Sequence, residues 1–158
     1  MYRVPYLPVS PFRKRPAFSL VEVLVVMTLI GIAAALSIPK VSKLSNQAKI
    51  QRAAQALRLE VQQAFAIAGR NRAPVRIKWS SANMQVQTTN LAGSTVYRRL
   101  GLGAGGGYNL LSSEVSVVPT TLTVFPNGLA DDTLVFSLTR SGYSRRIWVS
   151  KSGMVRVQ

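Results

Sequence analysis

Arg13-Lys14-Arg15-Pro16-Ala17-Phe18-Ser19-Leu20-Val21-Glu22 opens an apolar run that reaches Pro39. Basic residues stand directly before it, and from Phe18 to Ile38 the polar side chains are Ser19, Glu22, Thr28 and Ser37. As a helix rising about 1.5 Å per residue, this run reaches roughly 31 Å, the thickness of a bilayer core. The stretch predicts a transmembrane helix over residues 18–39, with the basic segment 1–17 on the cytoplasmic side. A carboxylate in hydrocarbon is costly, so Glu22 reads as a functional residue. A secretory signal peptide fits less well, because its apolar core is about half this length and carries no acid. A plain anchor accounts for the length but not for Glu22.

Past Pro39, which is expected to kink the helix, the pattern turns amphipathic. Val41, Leu44, Ala48, Leu57, Val61, Ala64, Phe65 and Ala68 recur at three- and four-residue spacings, with Lys40, Lys43, Lys49, Arg52 and Arg58 among the remainder. Gly69 and the stretch 71–74 supply a stop, so residues 40–70 continue the helix. From Val75 the period becomes two. Strands are predicted at Val75–Trp79, Met84–Thr88, Thr95–Leu100, Thr121–Phe125, Thr133–Leu138, Arg146–Val149 and Met154–Val157, separated by Gly-, Asn- and Ser-rich turns. The fold class that follows is α+β: a long amino-terminal helix, half transmembrane and half amphipathic, packed on an antiparallel β-sheet or β-sandwich head at 71–158.

Composition narrows the chemistry. The chain carries 20 Lys and Arg against 5 Asp and Glu, a net charge of +15 that points to an anionic partner. It has no Cys and no His, which removes thiolate metal sites and the commonest general base. Asp131-Asp132 is the one adjacent acidic pair and reads as turn chemistry rather than a calcium site. Glu60 falls on the helix and Glu114 stands apart, so no nucleophile–base pair is recognisable. Gly101, Gly103 and Gly106 match a nucleotide-binding spacing but open no predicted helix, and read as a loop. No catalysis, cofactor or metal is expected.

Ala17-Phe18-Ser19-Leu20-Val21-Glu22, its apolar sequel and Pro39 together resemble the class III signal of type IV pilins and type II secretion pseudopilins. The resemblance implies cleavage by a prepilin peptidase between Ala17 and Phe18, removing the leader 1–17, and N-methylation of Phe18. It implies that Glu22 is an assembly contact for the amino terminus of a neighbouring subunit and that Pro39 marks the helix kink. Ala17 stands where the family usually has Gly. Further on, Phe125-Pro126-Asn127-Gly128, the stretch 134–138, Arg146-Ile147-Trp148-Val149-Ser150 and the closing stretch 151–157 are similar to the GspH/FimT family. That similarity implies a minor pseudopilin, a structural subunit of a type II secretion pseudopilus. Such a subunit sits in the bacterial inner membrane by a single pass, with a periplasmic head, and its partners are other pilins and the prepilin peptidase. The alternative is a FimT-like minor type IV pilin that binds DNA for uptake or primes pilus assembly. For that alternative the candidate DNA- or anion-binding residues are Arg140, Arg145, Arg146, Lys151 and Arg156. Gly153-Met154-Val155-Arg156 departs from the Gly-Arg-x-Arg pattern of DNA-binding members at Met154. The plain reading of these cations is a solvated basic face.

Overall fold

The computed structural model describes residues 18–158, with the backbone alone at 36–40. The leader 1–17, with Ala17 on one side of the expected cleavage point, lies outside the described residues. Helix α1 runs over Leu20–Asn71, and the chain divides into two compact units, residues 1–39 and 40–158.

In the first unit, α1 starts where Ser19 can cap it. The Ser19 hydroxyl accepts the Glu22 N–H at 3.2 Å, and the Ser19 carbonyl accepts the Val23 N–H at 3.2 Å. Every described side chain from Phe18 to Ala35 is exposed. Among the described residues, no helix is long and apolar enough to cross a membrane. The side chains described without a break run from Leu20 to Ala35, 16 residues or roughly 24 Å, short of a core of about 30 Å. The expected span 18–39 also draws on 36–39, and the expected kink rests on Pro39, whose side chains lie outside the described residues. The helical assignment runs through them.

The second unit holds the rest of α1 and eight antiparallel strands in two four-stranded sheets. Strands β1 (Val75–Ser80), β2 (Gln85–Asn90), β3 (Val96–Gly101) and β5 (Thr121–Val124) form one sheet in the order β3-β2-β1-β5. Strands β4 (Val115–Val118), β6 (Leu134–Arg140), β7 (Tyr143–Val149) and β8 (Val155–Val157) form the other, in the order β4-β6-β7-β8. Seven of these lie where alternation predicts them. Strand β4 is the addition: it is short and closed by Pro119, which masks its Val-Ser-Val pattern.

Both sheets and α1 share one core. Val75, Ile77, Val86 and Leu122 from the first sheet join Leu134, Phe136, Leu138 and Ile147 from the second, all at most 2% exposed. Arg76 and Lys78 alternate with these to the opposite face of β1. From α1 the core takes Leu57, Val61, Ala64 and Ala68 as the spacing predicts, and also Ile50, Ala53 and Ala54. Val41 and Leu44, expected on the apolar stripe, are each 64% exposed. The gap from Ala48 to Leu57 puts the two sets out of phase, so at about 100° per residue Val41 and Leu44 lie on the face of α1 opposite the buried stripe.

Candidate functional site

Two of the amino-terminal candidates, Phe18 just before α1 and Glu22 in its first turn, border one groove. The groove, of about 240 Å³, is completed by Val23, Val26 and Met27. The aliphatic part of Glu22 thus lines an apolar groove at the start of α1, and the residue is exposed. Its N–H is held by Ser19, and Ser19-Leu20-Val21-Glu22 has the S-x-x-E form of a capping box. A carboxylate in the first turn also meets the positive end of the helix dipole. Ser19 carries that signal in the sequence, but the apolar periodicity around it draws attention away from caps.

The carboxy-terminal cations do not form one patch. Arg140 is held inward by Glu114, with Nε 3.5 Å from Oε1, and its Nη1 donates to the Asn109 carbonyl at 2.8 Å. Glu114 in turn accepts the Leu111 N–H at 2.8 Å. Lys151 lies 3.8 Å from Asp132. Asp131 and Asp132 accept backbone N–H groups of Thr123 and Thr133, the turn chemistry their position suggests. Arg145 and Arg146, adjacent on β7, project to opposite faces of the sheet. Arg145 lies 5.2 Å from the centroid of the Tyr143 ring. On the other face Arg146 is exposed and pairs in register with Ser137, while Trp148 pairs with Arg156.

One of the five candidates meets a cation of the helix. Arg145 lines a groove of about 460 Å³ with Arg58, Gln51 and Gln55 of α1 and the edge of β8, while the Arg156 side chain lies on the Trp148 face, its Nε donating to Met154 Sδ at 3.1 Å. Arg58 enters the site from the helix, far from Arg145 in sequence. The spacing Gln51, Gln55, Arg58 is i, i+4, i+7, a polar stripe beside the buried one, and that is the signal by which it can be found.

Residues 12–38 match the family described as the prokaryotic N-terminal methylation motif. No curated protein matches the chain. Among solved structures, the type IV minor pilin FimU of Pseudomonas aeruginosa PAO1 is similar at a TM-score of 0.57 and 16% identity, over 73% of this chain and 92% of FimU. A second crystal form of FimU gives 0.55 and 19%, over 68% and 91%. The minor pseudopilin EpsH of the Vibrio cholerae type 2 secretion system gives 0.50 and 12%, over 70% and 96%. The chain joins a prepilin-type amino terminus to a minor-pilin fold.

Within this pilin-like head, the residues that resemble GspH/FimT are structural at close range. Phe125-Pro126-Asn127-Gly128 is a turn: the Gly128 N–H donates to the Phe125 carbonyl at 3.1 Å, and Asn127 Oδ1 accepts the Leu129 N–H at 3.1 Å. The closing turn meets it, with the Ala130 N–H donating to the Lys151 carbonyl at 2.7 Å. Gly153 adopts φ +78, and a Cβ there would lie 3.1 Å from the Phe65 ring and 3.2 Å from the Gly128 carbonyl oxygen. Gly106 is required for another reason, since a Cβ on it would collide with the Gly101 carbonyl. The Gly-rich segment is therefore a tightly folded loop.

Glu60 is the charged group that sequence spacing leaves unassigned. It is 3% exposed, and its two carboxylate oxygens accept from Thr88 Oγ1 at 3.2 Å and Arg98 Nε at 3.1 Å. Thr88 and Arg98 pair in register across β2 and β3, so both side chains meet the helix on the same face. The carboxylate clamps α1 to the first sheet.

Proposed function

We propose that the chain is a minor pseudopilin of the GspH/FimT family, a structural subunit of a type II secretion pseudopilus. In this reading a prepilin peptidase cuts between Ala17 and Phe18, Phe18 is N-methylated, and residues 18–39 anchor the protein in the inner membrane with 40–158 in the periplasm. The observation that carries it is the exposed apolar start of α1, with Glu22 in its first turn and Phe18 just before it, attached to a head with the pilin fold. A helix with so much exposed apolar surface needs lipid or neighbouring helices around it. After cleavage the new α-amine of one subunit and Glu22 of the next attract strongly where water is scarce, which sets the axial register of the helices. Glu22→Gln keeps a capping-box side chain but removes the charge. It is expected to leave membrane fractionation unchanged and to reduce co-purification with partner pilins as much as Glu22→Ala does. Undiminished co-purification of the Gln variant rejects the charge-pair role, and mass spectrometry of the mature protein tests for N-methyl-Phe18.

The second reading is a FimT-like minor pilin that binds DNA or primes pilus assembly, favoured by the likeness to FimU and by the groove of Arg58 and Arg145. Against DNA binding, Arg140 is ion-paired, and Arg145 lies on the opposite side of its sheet from Arg146 and Arg156. A salt series of DNA binding by the full chain separates the two. A steep fall of affinity with salt that disappears on neutralising Arg58 and Arg145 supports uptake, and no measurable binding supports the secretion subunit.

A further inference from the structure

The ridge of α1 at Gln51 and Gln55 separates two grooves that share those residues. On one side lies the cationic cleft of Arg58 and Arg145, closed by the edge of β8. On the other is a groove of about 510 Å³ lined by Ala48, Ala56, Leu59 and Tyr108, with Arg52 and the same two glutamines. Leu59 is 57% exposed, a large apolar side chain that the head itself leaves uncovered.

We propose that this ridge docks an acidic amphipathic segment of a partner protein, its carboxylates in the arginine cleft and its apolar side chains against Ala56 and Leu59. The cleft has no counter-charge of its own: none of the residues lining it is acidic. Guanidinium groups match carboxylates in a two-pronged geometry, and two of them with carboxamides alongside suit acidic side chains and a peptide backbone. The apolar groove next to it decides between partner classes. Protein interfaces combine an apolar centre with arginine anchors, whereas nucleic-acid interfaces are more polar and basic across the contact. A second copy of this chain is a poor occupant. Of its five acidic residues, Glu60 is buried, Glu114 is paired with Arg140, Asp131 and Asp132 hold a turn, and Glu22 belongs to the apolar amino-terminal run that the pseudopilin reading places in the membrane, while its net charge of +15 repels a like copy. The partner is therefore a different, acidic protein, and under the assembly reading it is an acidic neighbouring subunit.

The test uses the full chain in detergent micelles and a fluorescent helical peptide, about 20 residues long so that it holds its helix, with a Leu face flanked by Glu. Fluorescence anisotropy is expected to show binding that weakens about tenfold when Glu is replaced by Gln in the peptide, and about tenfold with Arg58→Gln plus Arg145→Gln in the protein. Leu59→Ser is expected to cost several-fold, while Arg76→Gln plus Lys78→Gln, on the far face of β1, leaves binding unchanged. The variant Arg58→Glu plus Arg145→Glu should bind a Lys-for-Glu peptide, a gain that an unfolded variant cannot give. Equal binding of the Gln peptide overturns the proposal. So does displacement of the peptide by a single-stranded oligonucleotide when Leu59→Ser has no effect, which assigns the cleft to nucleic acid. The measurement is made on unassembled protein, so its outcome is separate from that of the Glu22 variants.

Discussion

Glu60 shows how one side chain can be placed by three elements at once. Its position on α1 is set by helical spacing, but its partners come from β2 and β3, and the register pair Thr88–Arg98 brings them to the same carboxylate. Arg98 is half exposed, so its loss is screened by water, yet it leaves a buried carboxylate with Thr88 as its remaining described partner. Arg98→Ala is expected to destabilise the head by about 2 kcal/mol, and Arg98→Ala combined with Glu60→Gln by less than the sum of the single changes. Urea melts of the three variants check this, and strict additivity contradicts the clamp. Gly153 makes a second prediction at this scale. A left-handed φ and the Phe65 ring both oppose a Cβ, so Gly153→Ala is expected to cost roughly 1–3 kcal/mol, read as a lowered urea midpoint at unchanged m-value.

At the scale of the element, α1 changes its partners along its length. From Phe18 to Ala35 its side chains are exposed, and from Ile50 to Ala68 one stripe is buried beneath two sheets. The two stripes of the second part are distinguishable by mutation. Leu57 is fully buried, so Leu57→Ala is expected to destabilise by about 3 kcal/mol, while Leu59→Ala stays within about 0.5 kcal/mol. Thermal melts of the two variants side by side check the assignment, and similar losses in both contradict it. Three- and four-residue spacings link Val41 to Leu44 and Leu57 to Val61, but carried across the gap from Ala48 to Leu57 the period places the first pair on the opposite face of α1, where both are exposed.

The whole molecule is strongly cationic, and its charge acts on association rather than on fold. Like copies repel at low ionic strength, where the Debye length is about 30 Å at 0.01 M, and the repulsion is screened within about 8 Å at physiological salt. Self-association of the full chain in detergent is therefore expected to rise with salt, whereas binding of the acidic peptide falls. Sedimentation across a salt series reads the first and anisotropy the second, and parallel trends contradict the argument.

Local pattern was enough to determine the apolar amino-terminal run with Glu22, the long helix, seven of the eight strands and the turns around Gly128 and Gly153. Each depends on residues within a few positions of one another, through helical period, alternation or backbone conformation. The tertiary structure alone decided which cations act together. It brought Arg58 beside Arg145, tied Arg140 to Glu114, and turned Arg146 and Arg156 to the far side of their sheet. Charges close in sequence are separated by strand alternation, and charges distant in sequence are joined by packing, so the groupings that matter for binding arise only when the helix settles on the sheets.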